Sequence, residues 1–360
     1  MTEYPQSAGP LTFHPDTTEG SAVLFAADVA AATVFALELP PEPSTGGAAV
    51  DVEQLGAKLA SLLGVGRGDV LLRGMAVHPA SHAVYLSIAR GRGADAGPAL
   101  VRAGTDGELS VVEVDQLTST SFALDDAPAP DDERQDVWLD GSDEGSAPRE
   151  IYGVTLEIAQ VPLNRSTITD LAWVDDTLMV AGTSNEEFSS RLRRLSYPFD
   201  GTARSTSVEI YHVDHGQYET ASPIRALIPF DGGKSVLATY TCTPVVHFSL
   251  ADLQPDTLVR GRTVAELGPM NQPFSLVSYD RDGEEFLLVS GTRHPLLKIP
   301  AASVAGQAPL TDKLEPVGIP REALDVPGVT WMASLDREHV VVVQDDGGDL
   351  ALHTLSAASL

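Results

Sequence analysis

Thr183-Ser184-Asn185-Glu186-Glu187-Phe188 sets an amide and two carboxylates side by side, and Asp170 stands a short distance upstream. Hard oxygen donors of this kind suit Ca²⁺ or Mg²⁺, so Asp170, Asn185 and Glu186 form a candidate divalent-cation set. A carboxylate held near fixed positive charge can also act as a general base. Arg73 and Arg225 supply such charge, and their forked guanidinium groups can orient an anionic group. The candidate catalytic residues are therefore Asp170, Glu186, Arg73 and Arg225. Asn185, Glu187, Thr241, Cys242, Arg293 and His294 are candidate ligand-binding residues. A plainer reading has Asn185 shaping a turn while Glu186 or Glu187 pairs with Arg191 or Arg193.

Cys242, the single cysteine, lies between Thr241 and Thr243, where it is more readily a small buried hydrophobe than a nucleophile; its candidate base would be His247. His212 and His215, in Tyr211-His212-Val213-Asp214-His215-Gly216, have a spacing compatible with metal binding, but their place at an outer strand and its turn favours a structural role. His14, His78 and Asp175 end short apolar runs and read as turn residues. Phosphate-binding glycine loops, paired-cysteine zinc spacings and serine-nucleophile elbows are absent from the sequence.

The elements that must position these groups are strands. Short β-branched runs recur between Gly, Pro and Asp punctuation. One pattern returns six times: a short apolar strand, a turn, a very apolar strand, a polar loop and a third strand. The second strands centre on Phe25, Leu86, Val180, Leu237, Leu288 and Val342. They are continuously apolar, as expected of strands buried on both faces. Radial stacking of such sheets predicts an all-β, six-bladed β-propeller over residues 1–360 as a single domain. Leu109 to Val114, Ser207 to His212 and Thr263 to Leu267 are predicted outer strands. Val50 to Leu63 is predicted as a short inserted helix, and residues 116–165 as a long acidic excursion, loop-like and open to service as a lid.

In that architecture the start of each first strand and the loop from second to third strand share one face around a central channel. Arg73, Asp170, Arg225, Gln272 and Ser275 stand at first-strand entrances. Asp28, Arg90, Arg92, Asn185 to Glu187, Thr241 to Thr243, Arg293, His294, Asp345 and Asp346 stand in the facing loops.

Ile168-Thr169-Asp170-Leu171-Ala172-Trp173, Ser184 to Phe188, Ser222-Pro223-Ile224-Arg225 and Thr241-Cys242-Thr243-Pro244 resemble segments of a bacterial β-propeller family without an assigned activity, from about Gly9 to Lys298. In the wider class the chain resembles six-bladed lactonase and gluconolactonase propellers, where channel Glu, Asn and Asp hold one cation. That resemblance implies a Ca²⁺ or Mg²⁺ cofactor. The departures are Arg73, Arg225 and Ser275, where Asn or Asp would stand in such enzymes.

The formal charge is −28, from 51 acidic and 23 basic residues. Such a field repels nucleic-acid phosphates and anionic membrane surfaces, so neither is an expected partner. With no apolar run of roughly 20 residues and no signal-peptide pattern at Met1, the expectation is a soluble, cytoplasmic protein, subject to a removed leader. The expected function is small-molecule binding at the channel mouth, with metal-assisted hydrolase or lyase chemistry. The alternative is a non-enzymatic scaffold that docks a protein partner.

Overall fold

The computed structural model describes the chain apart from residues 1–3, 19, 45–48, 94–95, 133, 135–136, 141–148, 152–153, 157, 242, 269–270, 293–295 and 313–317. The fold class is a six-bladed β-propeller of small antiparallel sheets. The chain divides into two compact units, one of Met1–Leu124 with Pro327–Leu360 and one of Asp125–Val326.

The first unit carries three blades. Blade I has strands Leu11–Phe13, Ala22–Asp28, Thr33–Leu39 and Thr118–Ala123. Blade II has Val70–Val77, Val84–Arg90, Gly97–Ala103 and Leu109–Val111. Blade VI has Val329–Ser334, His339–Asp345 and Leu350–Ser356. The first strand of blade II packs against those of both blade I and blade VI. Blade II is thus threaded between the third and fourth strands of blade I, and lies between blades I and VI. Gly74 permits the close approach on one side: a Cβ there would fall 2.6 Å from the Gly9 carbonyl oxygen.

The predicted helix is present over Leu55–Leu63, ended by Gly64 in the left-handed region at φ 69°, with its N–H on the Ala60 carbonyl. Its buried Leu55, Leu59 and Leu63 join Leu86, Ile88, Val341 and Leu352 in one core.

The second unit carries blade III (Asp170–Val174, Thr177–Thr183, Ser190–Leu195, Ala203–His212), blade IV (Ile224–Phe230, Ser235–Tyr240, Pro244–Ser249, Arg262–Glu266) and blade V (Pro273–Arg281, Glu284–Gly291, Leu296–Pro300, Glu322–Leu324). Blade III is extended by Gln217–Glu219 and by Leu258–Arg260, the latter in parallel. All six predicted second strands are found. Every residue of Ser235–Tyr240 is buried, which is the two-sided packing the apolar run implies.

The acidic excursion is more structured than a loop. Thr118–Ala123 is the outer strand of blade I, paired with Thr33–Glu38. Val137–Asp140 pairs with Ile158–Val161, Arg149–Ile151 pairs with Val154–Leu156, and Leu163–Ser166 forms a 3₁₀ turn.

Candidate functional site

The first strands of four blades share a local irregularity at their entrances. In blade IV, Ile224 faces Tyr240 and Ala226 faces Thr239, so the ladder skips Arg225. In blade II it skips Arg73, between Leu72 and Gly74. Blade V skips Phe274 and blade VI skips Thr330. A bulge of this kind re-aims one side chain out of the ladder, and arginine occupies two of the four such positions.

Asp170 opens the first strand of blade III and reaches the bulge of blade IV. Its Oδ1 accepts the Leu171 N–H at 2.9 Å and its Oδ2 accepts the Leu227 N–H at 2.6 Å. The carboxylate therefore ties the two inner strands together just past Arg225. Burial pushes the Asp170 carboxyl up to about 7, against the opposing pull of those two N–H groups and the Arg225 charge.

The other sequence candidates distribute differently. Asn185, Glu186 and Glu187 are exposed. Their loop is held by its backbone: the Asn185 N–H donates to the Asp126 carbonyl, and the Arg134 guanidinium donates to the carbonyls of Asn185 and Glu186. Arg191 and Arg193 both pair with Asp126, at 3.2 and 2.8 Å, not with Glu186 or Glu187. Arg73 belongs to the first unit, Asp170 and Arg225 to the second. Thr241 is buried. Cys242, Arg293 and His294 lie outside the described residues. Asp28 binds the N–H groups of Gln6 and Ala31, Arg92 donates to the Gly68 carbonyl, and Asp346 caps the N–H groups of Gly348 and Asp349. His14 and His78 accept turn N–H groups through Nδ1, and Asp175 sits at φ 46°, as turn residues should.

A second constellation joins blades III and IV near the ends of their fourth strands. His212 and Glu266, both buried, end those strands, and Thr243 stands in the loop before the third strand of blade IV. His212 Nδ1 meets Glu219 Oε1 at 3.0 Å, and His215 Nδ1 meets the same oxygen at 2.6 Å. The Thr243 hydroxyl donates to Glu266 Oε1, and Thr243 holds φ 88°, a costly conformation for a β-branched residue. Burial, aided by the Asp214 charge, drives the Glu266 carboxyl up to about 7, outweighing the Thr243 hydrogen bond and the His212 charge. Burial opposes protonation of His212, yet Glu219, Glu266 and Asp214 together raise its pKa.

Among the described residues, two groups of three potential metal-ligand side chains have ligand atoms within 4.8 Å of one another: His212, His215, Glu219 and His212, Asp214, Glu266. Neither contains Asp170 or Glu186. The His212–His215 spacing was visible in the sequence, but Glu266 was not singled out. Its signal was an acid closing the otherwise apolar run Val264-Ala265, at a position where a solvated charge would not be enclosed.

No family model matches the chain, and no curated protein matches it. Many solved structures match the chain. One, from a study of PorZ, a bacterial surface component of the type-IX secretion system of Porphyromonas gingivalis, aligns at 10% identity and a TM-score of 0.39, covering 99% of this chain. The present chain spans 37% of that protein's length. A chain of the mitotic checkpoint complex aligns at 10% identity and a TM-score of 0.38, with 97% of this chain and 87% of the other covered.

Proposed function

We propose that the chain is a small-molecule-binding β-propeller that takes an anionic ligand at the inner-strand entrance of blades III and IV. Arg225 is the anion-binding group, and Asp170 is the proton-transfer group for chemistry of hydrolase or lyase type. The observation that carries this reading is a bulge-borne arginine whose charge acts on Asp170, a carboxyl that desolvation raises to about 7 and that links the inner strands of two blades through the Leu171 and Leu227 N–H groups. A carboxyl that titrates near neutrality can both accept and return a proton under ordinary conditions. A guanidinium offers an anion charge-assisted hydrogen bonds worth about 1.5–3 kcal/mol each. Asp170 retains lone pairs beyond the two that receive N–H groups.

Calorimetry of the full chain against small carboxylates and phosphate monoesters tests the reading. At least one member is expected to bind, with Arg225→Ala weakening it by about 10- to 100-fold, the equivalent of one charge-assisted hydrogen bond. Asp170→Asn is expected to abolish the pH dependence of binding around neutrality. Absence of binding across the set, or an affinity unchanged in Arg225→Ala, overturns the assignment.

A further inference from the structure

Beyond the Asp170–Arg225 entrance, the second unit encloses acceptors that no donor satisfies. Glu266 is fully buried at 0% exposure, and its Oε2 has no hydrogen-bond partner. Asp214 Oδ1 is likewise enclosed without a partner. His212 Nε2 lies 3.9 Å from Glu266 Oε2, outside hydrogen-bonding range. Buried carboxylate oxygens without a donor are costly and call for an explanation such as an ion.

We propose that His212, Asp214 and Glu266 bind a divalent transition-metal cation of the Zn²⁺ or Mn²⁺ class. One ligand atom from each residue lies within 4.8 Å of the others. Zinc takes nitrogen and oxygen ligands at about 2.0–2.2 Å, so the three need to draw together by about an ångström, within reach of side-chain rotation. Glu219 supplies the outer carboxylate such sites use: accepting the Nδ1–H of His212 fixes the tautomer that leaves Nε2 with its lone pair inward. Thr243 performs the matching task on Glu266, holding Oε1 and leaving Oε2 open. An imidazole nitrogen in the set selects transition metals over Ca²⁺ and Mg²⁺.

The rival triad, His212, His215 and Glu219, is the weaker ligand set. There, Glu219 Oε1 already engages both imidazoles, so its capacity is used. Charge points the same way. Asp214, Glu219 and Glu266 bring three carboxyl groups to two imidazoles, and a dication offsets the excess. Arg321, whose Nη2 donates to the Glu266 backbone carbonyl, adds one positive charge nearby.

The inference is independent of the anion site and fails separately from it. The full chain is stripped with chelator and titrated with Zn²⁺, Mn²⁺ and Co²⁺ in excess Mg²⁺, which occupies loose surface carboxylates. One equivalent is expected, with the Co²⁺ form showing visible absorption bands of a low-coordinate site containing nitrogen. Glu266→Gln and Asp214→Asn are expected to weaken binding by 100-fold or more, Glu219→Gln by about 10- to 100-fold, and His215→Ala by less than threefold. Failure of wild-type protein to take up any of the three cations overturns the assignment, as does undiminished binding in both ligand variants. If those variants do not fold, the wild-type Co²⁺ spectrum decides: bands of an all-oxygen octahedral ion overturn the proposal.

Discussion

Asp170 departs from an ordinary carboxylate because two blades close over it, and this has a pH signature with a definite sign. Its carboxyl moves from 3.8 to about 7 on folding. Between those values the folded chain holds a proton that the unfolded chain has released. Asp170 therefore makes stability fall as pH rises from about 4 to about 7, and adds no further slope above that. Asp170 keeps some solvent contact, so the expected loss is about 1–3 kcal/mol, less than the full shift would give. Asp170→Asn cannot titrate. Urea denaturation across this window should show wild type losing ground relative to the variant, and parallel pH profiles would contradict the burial argument. Asp170 and Arg225 were legible as entrance residues because strand order alone assigns them to that face. The pairing of Asp170 with the Leu227 N–H was not, since it depends on a bulge that no local pattern announces. The same holds for His212 and Glu266, whose meeting depends on how the outer strands of two blades end.

Among elements, blade III shows how a charged residue can occupy a strand interior. Arg193 is fully buried in the third strand, where its guanidinium binds the Asp126 carboxylate and the carbonyls of Thr167 and Thr183. Thr183 ends the second strand, and the Thr167 carbonyl is brought beside it because the chain from Leu163 to Thr167 folds back over that strand. Gly182 allows this approach: a Cβ there would fall 2.0 Å from the Thr167 oxygen. Arg193 thus ties the entry segment, the acidic stretch and the blade together. Replacing it with Met leaves Asp126 partly uncompensated and is expected to cost about 3–5 kcal/mol. Asp126→Asn should cost less, because Arg193 keeps its two carbonyl acceptors. Denaturant midpoints would test the order, and an equal or reversed cost would show that the carboxylate, not the guanidinium, organises the segment. Second strands were readable because burial on both faces writes an unbroken apolar run. Thr118–Ala123 was not, because Thr-Ser-Thr-Ser on an outer edge looks like loop and its partner strand lies far back in the sequence.

At the scale of the whole molecule, the chain is strongly acidic, and among the described residues no helix is long and apolar enough to cross a membrane. The first unit is discontinuous in sequence: its blades I and II come from the start of the chain and blade VI from the end. Blade order within it could not be read from the repeats, which give the number of blades but not their neighbours. The core in which Leu86 and Ile88 of blade II, Leu55 and Leu59 of the helix, and Val341 and Val343 of blade VI meet makes the C-terminal segment part of the N-terminal fold. The isolated bridge between Val52 and Leu352 binds the same two ends. A chain truncated after Val326 loses the partner surface for that core. Each fully buried side chain of this size left in water forfeits about 1.5–3 kcal/mol, and several are bared at once, against a total stability of about 5–15 kcal/mol for a typical protein. The truncated chain is therefore expected to lose hydrogen-exchange protection along Val84–Arg90 and to bind a hydrophobic dye. Blade I should loosen with it, because its outer strand is reached only after the chain has built blade II. Native-like protection of Val84–Arg90 in the truncated chain would mean that blade II is held by blade I alone, and that its contact with blade VI contributes little.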